Sequence, residues 1–261
     1  MKKFKAVVNI YVGFMERRRA LSNLGVLPIN FLKLVNVPRY LREKKAFLKS
    51  GGYISKIFPI INEYEDSAGT GSGHYFHQDL LVAQLIFEAN PAKHIDIGSR
   101  LDGFVAHVAA FREIEVFDIR ELSKSEHPNI VYKQADLMSD AGKEITDSVS
   151  CLHVIEHFGL GRYGDPIEPE GYILGFKNLI EMLKPGGTLY VSFPIGTKNE
   201  VHFNAHRVFH PRDIFNWVPG KLNLVRFDLV DDLGTLHKEF DVMNHDISVK
   251  YGCGIYTFHK I

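Results

Sequence analysis

His153-Val154-Ile155-Glu156-His157 puts two imidazoles and a carboxylate within five residues, the side chains that move protons or hold a metal near neutral pH. The string H-x-x-E-H is that of the inverted zinc metalloproteases. That chemistry needs both histidines on one face of a long helix. Here His153 closes the apolar run SVSCLHV, and Gly159 and Gly161 soon follow, so a zinc hydrolase is set aside. A divalent cation held by Glu156 and His157 to orient an acceptor oxygen stays open as a reading, and the metal itself is left unknown. His153, His157 and Glu156 are the candidate catalytic groups.

A second cluster follows in VHFNAHRVFHP, with His202, His206 and His210 beside Asn204 and Arg207. Together with Arg162 and Tyr163 of GLGRYGDP, it would suit an anionic or polyhydroxylated acceptor. His74, Tyr75, His77 and Asp79 in GTGSGHYFHQD read as a lid or substrate-facing segment, or as capping groups of the helix expected over 78–89. Gly69, Gly71 and Gly73 imitate a phosphate loop, but no strand precedes them and no Lys-Ser/Thr follows. Each histidine taken singly has an ordinary structural reading. Clustering after two strand ends is what favours function.

The elements that must position these groups start with AKHIDIGSRLDGFVAHVAAFREIEVFDIRE at 92–121. It reads as strand, glycine turn, helix and strand, with Asp118 closing the second strand. Apolar residues from Leu101 to Phe111 recur at helical spacing. Parallel strands joined by a helix bind ligands at their carboxyl ends, and a glycine there admits a ligand to the backbone. Further strands are expected at 130–133, 149–154, 188–195, 225–230 and 254–259, with helices at 170–183 and 211–218. Lys184-Pro185-Gly186-Gly187 stops the first of those helices.

The chain is long enough for one large domain with an extension, and its two cysteines, far apart in apolar runs, fit a reducing compartment. Charge is zero overall but uneven. Residues 1–50 hold twelve Lys/Arg against two Asp/Glu, a net +10, and the remainder carries −10. The apolar run from Ala6 to Met15 is too short to span a bilayer and lacks a cleavage site. Residues 1–50 therefore read as basic amphipathic helices, either a peripheral contact with an anionic membrane or a solvated extension. The division expected is a basic helical extension with a lid-like loop over 1–77 and a main domain over 78–261. A lone basic segment without a stacking platform argues against nucleic acid.

From 90 to 260 the order of parts resembles the class I S-adenosylmethionine-dependent methyltransferases. The most specific piece is VIEH, a helix, then LKPGGTLYVSFP. Through GHYFHQDL, HIDIGSRLDGF, GLGRYGDP and FNAHRVF the chain further resembles a bacterial family of unknown function within that superfamily. The resemblance implies an α/β, Rossmann-like sheet, mostly parallel with its last strand antiparallel, and S-adenosylmethionine as cofactor. It implies that Asp96 and Gly98 lie under the methionine and ribose part of the donor, and Ser99 and Arg100 beside them are further cofactor-binding candidates. Asp118 would take the ribose hydroxyls, Asp136 the adenine amino group, and His153 would lie near the sulfonium. It further implies O-methylation of a saccharide, phosphate-bearing or other small polar acceptor in surface-polysaccharide biosynthesis, and the cysteine usage and basic N-terminus place the protein in the cytoplasm, at most at the inner membrane face. Arg100 and Asp102 replace two glycines of the usual turn. Arg100 either plugs the pocket or pairs with the donor's carboxylate, and Asp102 reads as the N-cap of a helix starting at Gly103. A plugged pocket would make the domain a binding module, and a different nucleotide-dependent enzyme is the remaining alternative.

Overall fold

Apolar residues at alternating positions build the strands, and the strand faces decide where the helices go. The computed structural model describes residues 31–61, 64, 69–121, 125–139 and 142–261. The chain divides into two units, Met1–Gly69 and Thr70–Ile261. In the first unit, a short 3-10 turn (Phe31–Asn36) leads into helix α1 (Val37–Lys49), which has no buried residue. Arg39 and the Tyr64 hydroxyl both bond the Glu43 carboxylate, each at 2.8 Å. The expected basic helices before residue 31 lie outside the described residues. Among the described residues no helix is long and apolar enough to cross a membrane.

The second unit carries an eight-stranded sheet. Its strands are β1 (His94–Ile97), β2 (Ile114–Asp118), β3 (Ile130–Gln134), β4 (Thr146–Leu152) and β5 (Leu183–Ile195), then β8 (Leu222–Val230), β9 (Leu236–His237) and β10 (Gly252–Lys260). A separate hairpin, β6 (Glu200–His202) with β7 (His206–Val208), was not expected from the sequence. The order is β3-β2-β1-β4-β5-β10-β8-β9; β1 to β5 pair in parallel, and β10 runs antiparallel to both neighbours. Strand order reverses beside β1, because β2 lies on one side of it and β4 on the other. Ligands of open α/β sheets bind at such a switch point.

Two cores follow from the strand period of two. Ile95, Ile97, Val149, Cys151, Val191 and Phe193 face one way, against helix α4 (Gly171–Met182) and the short helix α5 (Ile214–Trp217). Val116, Leu152, Tyr190, Cys253 and Ile255 face the other, against α2 (His74–Ala89) and the α3 segment. That segment is a π-helical turn (Leu101–Val105) followed by Ala106–Ala109, with a kink at Gly103. α2 starts at His74, four residues before the expected start, because Gly73 with φ of 92° turns the chain without any capping side chain. The helix-stopping LKPGG is absorbed into β5 as a bulge, Leu183 pairing with Thr146 and Thr188 with Ser148.

Phe193 is fully buried among Phe209, Trp217 and Tyr256, with ring centroids 5.2, 5.4 and 5.1 Å away. Truncating it leaves a cavity that three rigid rings cannot fill. Phe193→Ala should cost about 3–5 kcal/mol of unfolding free energy in urea titrations. A loss below about 1 kcal/mol would mean that the cluster collapses around the gap.

Candidate functional site

The turn after β1 is held from beneath by a buried carboxylate. Asp96 accepts from the Ser99 amide at 3.1 Å, the Ser99 hydroxyl at 2.9 Å and the Ser150 hydroxyl at 2.6 Å. Ser150 lies on β4 and also meets His94 Nε2 at 3.1 Å, while Ser148 meets His94 Nδ1 at 2.8 Å. With Asp96 ionised the chain of bonds has one direction: His94 Nε2–H donates to Ser150, Ser150 donates to Asp96, and Ser148 donates to His94 Nδ1. Burial pushes the Asp96 pKa up to about 7, against the bonds from Ser150 and Ser99, and pushes His94 down to about 3. Asp96 and Ser99, expected to meet the donor, are thus buried supports of the turn.

Gly98 has φ of 69°, donates to the Phe117 carbonyl at 2.8 Å, and a Cβ on it would stand 2.7 Å from Val154 Cγ1. Only glycine fits that backbone and that space. Above it opens a cleft, with Ile97 and Gly98 at its base and Asp118 and Arg120 on one wall. Asp136 to Met138 form another wall, and His153, His157, Phe158 and Tyr163 close it from the β4 side. Asp118 and Asp136, separated in sequence, thus share one cleft with His153 and His157. Asp136 Oδ1 accepts from the Met138 amide at 2.9 Å.

Arg120 was not anticipated. Its guanidinium binds Asp118 with both arms, at 2.9 and 2.5 Å, and lies over the Tyr163 ring at 4.7 Å. Arg162 approaches the same ring at 5.1 Å. The spacing Asp118-Ile119-Arg120 at a strand end carried the only sequence signal for this pair. Arg100 does not plug the cleft. It is exposed and forked onto Asp102 at 2.9 and 2.6 Å. Asp102 is therefore not the expected N-cap; it sits inside the first turn, which starts at Leu101.

The histidines divide by role. His153 has φ of 54°, a left-handed conformation costing about 1–2 kcal/mol in a non-glycine residue, and turns the chain out of β4. Its Nδ1 meets Glu156 Oε1 at 2.9 Å, and both side chains are buried. Burial alone would lower its pKa, but Cys253 and Glu156 reverse the sign and hold it well above the usual histidine value. His157 Nδ1–H donates to the Ala205 carbonyl at 2.7 Å, which leaves Nε2 as the acceptor, and burial lowers its pKa. His153 Nε2, Glu156 Oε2 and His206 Nε2 are buried without hydrogen-bond partners.

Other expected contacts are structural. Arg207 is buried and donates to the carbonyls of Phe158 at 2.6 Å, Pro169 at 3.0 Å and Glu156 at 3.3 Å, so it pins the loop after β4 and is not the acceptor contact expected. Arg162 donates to the Ala205 carbonyl at 2.9 Å. Asn204, with φ of 62°, makes the turn between β6 and β7. His77 is tied to the Gly234 carbonyl at 3.1 Å and belongs to the first turn of α2, with no part in a lid loop. His74 does reach the site, its ring 5.4 Å from that of His153.

The family described as Caenorhabditis protein of unknown function, DUF268, matches residues 117–218; its description names no bacterial source. No curated protein matches the chain. Among solved structures, the 1,6-didemethyltoxoflavin-N1-methyltransferase of Burkholderia thailandensis, with its substrate and S-adenosylhomocysteine bound, is 14% identical, with a TM-score of 0.52 over 84% of this chain and 89% of that one. The [4+2]-cyclase SpnF is 12% identical, with a TM-score of 0.52 over 87% of this chain and 96% of that one. The fold is that of the class I methyltransferases. At such identities the likeness concerns the fold, and a shared fold hosts more than one reaction.

The raised pKa of Asp96 has a measurable consequence. Its ordinary value is 3.8, and in the fold it is about 7. Between those values the folded protein keeps a proton that the unfolded chain has released, so wild-type stability falls as pH rises through the window and levels off above it. Compared with Asp96→Asn, which cannot ionise, the wild type should lose stability in urea titrations from about pH 4 to about pH 7 and then run parallel. Parallel curves throughout would mean that Asp96 titrates as an ordinary carboxyl.

Proposed function

We propose that this protein is an S-adenosylmethionine-dependent methyltransferase acting on a hydroxyl of a small polar acceptor. The observation that carries this reading is the meeting of Gly98, Asp118 and Asp136 in one cleft at the β1/β4 switch point. The two carboxylates of the cleft suit ribose hydroxyls and an adenine amino group. When bound, the donor supplies an electrophilic methyl group on a sulfonium.

The residues of the chain align and dehydrate the reactants, and one of them takes a proton. His157 suits the role of base. Its Nδ1 proton is committed to Ala205, its Nε2 lone pair remains, and its lowered pKa keeps it neutral at physiological pH. His153 is fixed in orientation at the same cleft by the Glu156 carboxylate. Arg120 now occupies Asp118, so ribose binding exchanges part of that ion pair for hydroxyl bonds.

The acceptor we favour is a saccharide or a phosphate-bearing molecule in surface-polysaccharide biosynthesis, supported by the motif resemblance and by Tyr163 and His206 beside His157. The net +10 of residues 1–50 supports cytoplasmic work against the inner membrane face. The binding-module alternative rested on Arg100 filling the cleft, and Arg100 is exposed outside it.

Calorimetric titration with S-adenosylmethionine and S-adenosylhomocysteine tests the reading. Asp118→Ala should weaken binding by about 1.5–3 kcal/mol for each charge-assisted bond lost, roughly tenfold to a hundredfold. Unchanged affinity in a folded variant would move the ribose elsewhere. No binding of either compound to the wild type would overturn the methyltransferase reading.

A further inference from the structure

His74, His153 and Cys253 come from the start of α2, the end of β4 and β10, and their potential ligand atoms all lie within 4.8 Å of one another. They form the one such trio among the described residues. Two features go beyond mere proximity. His153 is 8% exposed, its Nδ1 is held by Glu156, and its Nε2 is buried with no hydrogen-bond partner. A buried polar atom left unpaired costs about 1–3 kcal/mol, and such an atom calls for an explanation. Cys253 is fully buried and free, with only a weak contact from its sulfur to the Gly254 carbonyl at 3.8 Å.

The second feature is how the imidazoles are held. Metal-binding histidines donate their other ring N–H to a carboxylate or a backbone carbonyl, which fixes the ring and sharpens the ligating lone pair. His153 has the Glu156 carboxylate and His74 has the Tyr251 backbone carbonyl. Both orienting partners are therefore in place, and the remaining ring nitrogens are left for the space shared with Cys253. His153 itself stands in a left-handed conformation, with φ of 54°, at the end of β4.

We propose that His74, His153 and Cys253 form a binding site for a borderline-soft divalent transition ion, of which zinc is the type. Two imidazoles and a thiolate are zinc donors, and three protein ligands are the number found where a fourth position stays open to water or substrate. Bonds of about 2.0–2.3 Å would draw the three atoms to within about 4 Å of each other. His74, half-buried in the first turn of α2, is the side chain placed to make that shift. Binding would displace the thiol proton of Cys253, because the thiolate is the ligand. Glu156 is thereby an orienting partner of a ligand, and His157 is not a ligand. Of the three ligands, His153 alone lines the cleft. Titration with S-adenosylhomocysteine reads donor binding separately, so failure of one reading is distinguishable from failure of the other.

The test uses the full chain freed of metal by a chelator, titrated with Zn²⁺ by calorimetry and with Co²⁺ by absorption. We expect one ion per chain and a sulfur-to-cobalt charge-transfer band in the near ultraviolet. His74→Ala and Cys253→Ala should each weaken Zn²⁺ by at least the roughly 10–100-fold that loss of an orienting partner costs, and Glu156→Gln should fall within that range. Cys253→Ala should abolish the cobalt band, whereas Cys151→Ala, in the core on the other face of the sheet, should keep it. Failure of the wild type to bind Zn²⁺ would overturn the proposal. So would binding that survives both His74→Ala and Cys253→Ala, which would mark capture by surface histidines. Should Cys253→Ala fail to fold, His74→Ala and the band in the wild type decide the matter alone.

Discussion

Much of this structure depends on a carboxylate buried between its two central strands. Asp96 ties the β1 turn to β4 through Ser150, and Ser150 carries the link on to His94. A buried charge is tolerated only where its lone pairs are filled, and here three donors fill them. The same bonds fix the height of the Gly98 turn relative to the end of β4. Gly98 then has Val154 against it with no room for a side chain, so the two strand ends meet at one level. The cleft opens at that level because the strand order reverses there.

The other constraint is the exit from β4. A left-handed His153 reverses the chain directly after the strand, and a 3-10 turn of Ile155–His157 brings Glu156 beneath the His153 ring. The two histidines of H-x-x-E-H therefore face different partners. One is held by Glu156 of the same turn, and the other by the tip of the β6–β7 hairpin. Arg207 holds the loop that follows by its carbonyls, which is why a buried arginine lies beneath an otherwise apolar turn. The loop's outer part is ordered by Asp165, whose carboxylate takes the amides of Gly159, Gly161 and Tyr163. Tyr163 is presented between two guanidinium groups as a result.

Some of this was open to reading in the chain itself. Strand lengths, the two-residue alternation and the Pro-Gly-Gly stop follow from local physics, so the sheet and most of its helices were legible. Asp118 and Asp136 were legible for the same reason: each closes or follows a strand whose carboxyl end must face the switch point. Local chemistry misled where a side chain found a neighbour two residues away. Arg100 pairs with Asp102, and Arg120 with Asp118, and nothing in spacing alone says which such pairs close. The start of α2 was missed because a glycine turn at Gly73 supplies no capping side chain to recognise.

The sequence by itself determined the class of fold, the position of the cleft's acids and the clustering of histidines after two strands, because all three rest on periodicity and strand ends. Only the tertiary structure decided which histidine faces what. His74, His153 and Cys253 lie on three elements remote in sequence, and β10 enters between β5 and β8 to bring the sulfur under the β4 exit. Likewise Asp96 reads as a ligand residue from its motif, yet Ser150 on β4 claims it, fifty-four residues away. Pairing across a sheet depends on strand order and register, and those are fixed by the packing of the whole chain.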